Sequence, residues 1–386
     1  MGRQRAKSIV TLAVVFVFII GLGTVSFWLW HGRHPAPGDF AQPDRLPMNQ
    51  TTPVQALKSA PEANEPAKLE AVWKALAATT ASATARKELD ELRRYLSALP
   101  PEAAVAAIRQ FLDSREDASS NLGFAIGRDG FLTAAPSLRV FLLDYLAHVD
   151  RQAASRYAET ILSTMGSPDE WAISLRNYAL ASATPQAGAF LERKMQKLLR
   201  YEPWQNHPST AYLEAFDVAV HLGGTNLMPV LTQLVRQTDN RAVAHGAYLA
   251  LDRLTISNPA ATLEHLLNDP DAMRGREQTR SNYFARANVA DRRQRQILEN
   301  YLLAPDRSTA ELQTFAGLFP NANFMVSQNL LTSVATPDHD TLARRDSAAL
   351  QMLVQWMTDS RFERLQPQLR AMRSRLEMFV NQTPGN

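Results

Sequence analysis

Residues 137–149, SLRVFLLDYLAHV, place Leu138, Phe141, Leu142, Tyr145, Leu146 and Val149 at i, i+3, i+4, i+7, i+8 and i+11. Residues at that spacing lie along one stripe of an α-helix, so the stretch reads as a helix with an apolar face toward a core. Leu227, Val230, Leu231, Leu234 and Val235 repeat the pattern, as do Leu350, Leu353, Val354 and Met357. No run alternates apolar and polar residues with the period of two that a half-buried strand requires. From Pro66 onward the chain reads as all-α.

Helix starts are marked by chemistry. Ser167-Pro168, Thr184-Pro185, Asn258-Pro259, Asp269-Pro270 and Thr336-Pro337 each set a capping side chain before a proline. The cap accepts a bond from an otherwise orphaned N–H, and proline at the first helical position has no N–H to orphan. Asp169 and Glu170 then fall in a first turn, where carboxylates favour the helix dipole. With Asp150, Ser167, Thr184, His207, Thr225, Asp239 and Asn258 as approximate starts, helices recur every 14 to 23 residues. Alternate starts at 150, 184, 225 and 258 are 34, 41 and 33 residues apart. Such periods suit antiparallel helix pairs, each burying its apolar face only against its neighbours.

In period and pattern, residues 66–360 resemble the HEAT-like α-helical repeat class, an α-solenoid, although no strict repeat consensus is matched. The segment from Asp117 to Asp144 carries Gly123-Phe124, Gly130-Phe131-Leu132, Pro136, Leu138-Arg139 and Leu142-Leu143-Asp144. It is similar to membrane-anchored bacterial proteins of uncharacterised role. The resemblance implies a stacked helical domain and no particular activity.

The N-terminus sets the expected location. Ile9 to Trp30, IVTLAVVFVFIIGLGTVSFWLW, has no charged residue over 22 positions and follows Arg3, Arg5 and Lys7. As a helix it spans about 33 Å, close to the ~30 Å hydrocarbon core of a bilayer. Trp28 and Trp30 stand at its far end, where indoles favour the headgroup layer. A cleaved signal peptide is the rival reading, with Thr24–Val25–Ser26 as a small-x-small site. The apolar run continues past that site to Trp30, which favours an uncleaved signal anchor. The expected organisation is a cytoplasmic basic tail (1–8), a transmembrane anchor (9–30), a disordered Pro-rich linker (31–65) and an α-helical repeat domain (66–386). By the positive-inside tendency, the N-terminus is cytoplasmic and the domain lies outside the bacterial inner membrane.

Composition narrows the partners. The chain has 41 basic and 38 acidic residues, a net charge of +3. Arg3, Arg5 and Lys7 account for that excess, so the rest is neutral and nucleic acid is an unexpected partner. There is no cysteine, which excludes thiolate zinc sites, cysteine nucleophiles and disulfides. G-x-S-x-G, Gly-Lys and H-E-x-x-H are also missing, so the hydrolase elbow, the P-loop and the zincin helix are not indicated. No catalytic residue, metal site or cofactor is nominated. Asp338-His339-Asp340 reads as a solvated first turn rather than a metal site, and His221 and His245 as packed imidazoles.

Two stretches depart from the helical pattern. Residues 113–136 carry Glu116, Asp117, Asn121, Asp129 and three glycines without EF-hand spacing, and read as a structural inter-repeat cap. Residues 274–295 concentrate Arg274, Arg276, Arg280, Arg286, Arg292, Arg293 and Arg295 around Tyr283 and Phe284. Guanidinium forks beside aromatics suit phosphate, carboxylate or polar glycan contacts, which makes this the candidate partner-binding surface; a solvated charged helix is the alternative. A second cluster, Arg361, Arg364, Arg370, Arg373 and Arg375, is expected on the outer face of the terminal helix. The expected function is a membrane-tethered scaffold that binds an envelope protein or polymer. The competing expectation is a glycan-active hydrolase or lyase on an α/α-toroid, which needs a carboxylate pair in a cleft.

Overall fold

The computed structural model describes residues 65–382 apart from Pro270, 324–326 and 334–336. The expected basic tail, transmembrane anchor and linker up to residue 64 lie outside the described residues. Among those described, no helix is long and apolar enough to cross a membrane.

Among the described residues the domain is all-α except for one small hairpin. Helices α1 (Glu65–Ala77), α2 (Ser82–Ser97) and α3 (Pro101–Ser114) lead to strands β1 (Ala125–Ile126) and β2 (Leu132–Ala134). Then follow α4 (Leu138–Val149), α5 (Arg151–Ile161), α6 (Pro168–Ala181), α7 (Pro185–Leu199), α8 (Glu202–Asn206), α9 (Thr210–Glu214) and α10 (Phe216–His221). The second half comprises α11 (Met228–Val235), α12 (Arg241–Ser257), α13 (Pro259–Asn268), α14 (Glu277–Phe284), α15 (Arg292–Leu303) and α16 (Thr309–Leu318). Helix α17 (His339–Thr358), a 3-10 turn (Ser360–Leu365) and α18 (Gln366–Gln382) complete it. Many helices pack on a neighbour in sequence or the next but one, as α4 does on α5 and α6, α12 on α10 and α11, and α16 on α14 and α18, while α6 also packs on α9 and α7 on α10 and α11. This order is compatible with a helical repeat. One continuous apolar core runs from Leu69 to Leu376.

The caps read from sequence form at Asp150, Ser167 and Thr184, whose side chains accept from N–H groups of the first turn. Asn258 departs from that role: its amide reaches back to the Gly223 carbonyl at 3.0 Å and makes no cap bond. After Asp269 the chain turns, and α14 begins only at Glu277. The stripe at 138–149 understates its helix, because every residue from Leu138 to Ala147 is buried. Helix α4 is enclosed by neighbours on all sides. At 350–357 the buried face is instead Ala349, Met352, Leu353 and Trp356, with Val354 exposed.

Buried ion pairs tie the stack together at a regular interval. Asp144 of α4 meets Arg176 of α6, 32 positions on. Asp217 of α10 meets Arg253 of α12 after 36, and Asp252 of α12 meets Arg286 after 34. Arg139–Glu170 and Arg280–Glu311 each span 31. Arg139, Arg280 and Arg286 each fork onto their acid with two bonds, while Arg176 and Arg253 give theirs one; either partner alone would leave an uncompensated charge in low dielectric.

Residues 113–136 pack against the core and contain the antiparallel hairpin that the period-two criterion missed. Its strands of two and three residues are too short to show alternation. Arg176 holds it down, donating to the Gly130 carbonyl at 2.9 Å and lying 4.6 Å over the Phe131 ring. Asp144 accepts from the Leu132 amide at 3.1 Å.

One segment breaks the local order of contacts. Residues 327–333, between α16 and α17, reach back to Asp217, whose carboxylate accepts from the amides of Leu331 at 2.6 Å and Thr332 at 3.1 Å. The Thr332 hydroxyl donates to the same carboxylate. Leu330 is buried, and its carbonyl abuts Gly130. Gly130 has φ +80°, and a Cβ added there would stand 2.5 Å from the Leu330 oxygen. We expect Gly130→Ala to lower stability by about 2 kcal/mol or more, combining left-handed strain with a backbone clash. Gly123, at φ +73° with nothing near its Cβ position, isolates the strain alone. Gly123→Ala should cost about 1 kcal/mol in urea denaturation; equal losses for the two variants would remove the clash from the account.

Candidate binding groove

The arginine stretch at 274–295 divides in the fold. Tyr283 and Phe284 are fully buried, Tyr283 donating to the Tyr248 carbonyl at 3.0 Å and Phe284 stacking on Tyr301 at 3.9 Å. They are core residues, not surface anchors. Arg280 forks onto Glu311 with two bonds of 2.7 Å, and Arg286 onto Asp252 at 2.6 and 2.9 Å. Both are buried and belong to the ion-pair series. Arg293 is exposed and paired with Glu264, and Arg274 with Asp271. Arg292 is exposed and Arg295 half-buried. Arg276 is half-buried with one long bond, 3.4 Å to the Gln237 carbonyl, and like Arg295 it has no carboxylate partner among the described residues.

Arg276 borders a depression of ≈510 Å³ with Arg241, His245, Tyr248, Thr238 and Thr279. Arg241, the first residue of α12, is exposed and makes no hydrogen bond or ion pair among the described residues. The lining contains two guanidinium groups, an imidazole and three hydroxyls, and no carboxylate. Its neighbour along α14, of ≈560 Å³, shares Arg276 but is balanced by Glu277, Asp306 and Glu311.

On its other side the depression adjoins a cavity of ≈340 Å³, the two meeting at His245. Leu213, Phe216, Leu249 and Ile256 wall this cavity, Ser327 and Asn329 of the returning segment close one edge, and three carboxylates line it. Asp217 is held by Arg253 and the returning segment, and Asp252 by Arg286, though burial still raises Asp252 above the ordinary carboxylate range. Glu214 has no bonding partner among the described residues. Burial raises its pKa, the Asp217 charge raises it further, and Arg253 pulls it partly back. Two-carboxylate glycosidic chemistry therefore finds one uncommitted carboxylate in this cavity. Arg253 also keeps a buried Nε without an acceptor.

Helix α12 is the floor of both spaces. Arg241, His245, Leu249, Arg253 and Ile256 recur every three or four residues along it. Fifteen residues of helix correspond to about 22 Å. Gly246 keeps part of this surface low, since a Cβ there would come within 3.3 Å of Leu213.

No protein-family model matches this chain, and no curated protein or solved structure matches it. The reading of the groove accordingly rests on its own residues.

The other sequence candidates resolve locally. Asp338 caps α17 by accepting from the Thr341 amide at 2.6 Å, which lowers its pKa, and His339 and Asp340 are exposed. Among the described residues no group of three or more histidine or acidic side chains is set to hold a metal. His221 and His245 are exposed, not packed as expected. Of the C-terminal arginines, Arg364 and Arg375 turn inward, donating to the last carbonyls of α15 and α16, where a cation meets the negative end of the dipole. Sequence reasoning missed Arg241 and Glu214. The available signal was the polar stripe of α12 interrupted by a mid-helix glycine.

Two outcomes follow. Arg286→Ala should cost about 3–5 kcal/mol by stranding buried Asp252, while Arg293→Ala should leave the melting temperature unchanged. Glu214→Gln should raise stability at pH 7: the raised folded pKa means the charged form is disfavoured, a cost present above that pKa and relieved as pH falls through it. The advantage of the variant in thermal melts should therefore shrink on acidification, and a variant no more stable than the parent at pH 7 would refute the account.

Proposed function

We propose that this chain is a membrane-tethered binding protein of the bacterial envelope, a HEAT-like α-solenoid that grips an extended segment of another envelope protein in the groove along α12. The apolar run 9–30 would hold it in the inner membrane with its N-terminus in the cytoplasm, and the linker would let the domain search nearby partners at raised local concentration. One observation carries the binding role. Arg241 and Arg276 flank an open depression whose lining holds no carboxylate. Unpaired guanidinium groups in a concave site are suited to receive a partner's acceptors.

The length of the groove fits this reading. About 22 Å of floor accommodates six or seven residues of extended chain at ~3.3 Å each.

Crosslinking capture from spheroplasts tests it, with the partner identified by mass spectrometry. Wild-type protein should capture a defined envelope protein, and Arg241→Glu/Arg276→Glu should reduce that capture roughly tenfold, the scale of one well-placed charge contact. Both proteins should melt at the same temperature. Capture undiminished by the charge reversal would remove the groove from the function, and a domain protected from external protease in intact spheroplasts would reverse the topology.

A further inference from the structure

The two spaces along α12 differ in the sign of what they leave unpaired. At its N-terminal end, Arg241 and Arg276 present guanidinium groups beside the hydroxyls of Thr238 and Thr279, with no acid in the lining. Further along, the cavity beside Leu213, Phe216 and Leu249 holds the half-buried carboxylate of Glu214. The charges facing Glu214 are Asp217 and Arg253, and Arg253 is already bonded to Asp217. A carboxylate in such surroundings lacks the donor that would offset its desolvation.

We infer that the groove reads two opposite charges on one extended peptide: a carboxylate received by Arg241 and Arg276, and a lysine ammonium received by Glu214. The inference rests on the peptide-binding reading above and names the ligand chemistry of that same groove. Lysine suits the cavity because its aliphatic stem can lie along Leu213, Phe216 and Leu249 while its head reaches the carboxylate. The cavity, at ≈340 Å³, has room for that stem. A carboxylate suits the other end because a guanidinium fork can hold both its oxygens. Glu214 lies against Arg253, and Arg241 and Arg253 are twelve positions apart on α12, or about 18 Å at the helical rise. An extended chain covers that distance in about five residues. The recognised pattern is therefore a lysine and an acidic residue four or five positions apart, with small or apolar residues between them.

Fluorescence anisotropy on the full chain in detergent tests this with a labelled, end-capped hexapeptide, Lys-Ala-Leu-Ala-Ala-Glu. Replacing its lysine by norleucine, or its glutamate by glutamine, should each weaken binding roughly tenfold. Glu214→Gln should produce the same loss as the norleucine peptide, and the two together no more than either alone. Arg241→Gln/Arg276→Gln should stand in that relation to the glutamine peptide. Thermal melts of each variant check folding, and Glu214→Asp, which keeps the charge, should retain more of the binding than Glu214→Gln. Equal binding of all the peptides, or losses that simply add, overturns the charge reading and leaves a groove that takes peptides indifferently. Absence of binding by every peptide up to millimolar concentration overturns the charge reading and peptide binding together.

Discussion

The stack depends on a guanidinium meeting a carboxylate across neighbouring helix pairs. Asp144–Arg176, Asp217–Arg253 and Asp252–Arg286 recur at 32, 36 and 34 residues, so each tie crosses about one helical pair. Helix α12 carries two of these groups side by side: Arg253 turns back to Asp217, and Asp252 turns forward to Arg286. Apolar burial supplies the driving force for stacking but little direction, since one leucine-lined face fits another in several registers. A buried ion pair tolerates few. The ion pairs thus fix which turn of one helix faces which turn of the next, and the groove inherits its shape from that register.

Against this background half-buried Glu214 stands out. The buried acids Asp144, Asp217, Asp252 and Glu311 each meet an arginine, and burying a charge without a partner is costly. Glu214 bears that cost in its raised pKa, while Arg241 and Arg276 border a space with no acid. Proteins retain locally unfavourable groups where a ligand completes them, and stability is commonly lower at such places than the fold alone would allow.

The all-α architecture was legible in the sequence because it depends on local signals: the spacing of Leu138, Phe141 and Leu142, and the caps at Asp150, Ser167 and Thr184. The groove was not. Tyr283 and Phe284 beside seven arginines read as a surface, yet Arg280 and Arg286 find their acids 31 positions ahead and 34 behind, a distance at which sequence gives no pairing signal. Arg364 and Arg375 looked like a solvated face and instead close the ends of two other helices. Asn258 read as a cap, but its amide serves a carbonyl 35 residues earlier. In each case the local reading identified the residue type correctly, and a tertiary contact decided its use.

The returning segment at 327–333 gives the stack a mechanical property. A row of helix pairs held only by neighbours behaves as a spring, able to lengthen by small rotations spread over many interfaces. The bonds of Leu331 and Thr332 to Asp217, and the seat of Leu330 on Gly130, join points 114 and 200 residues apart along the chain. Such a crosslink shortens the part of the spring that is free to stretch and couples the hairpin at Gly130 to the helices around Asp217. Force drawing α10 away from the hairpin would be carried in part by this strap.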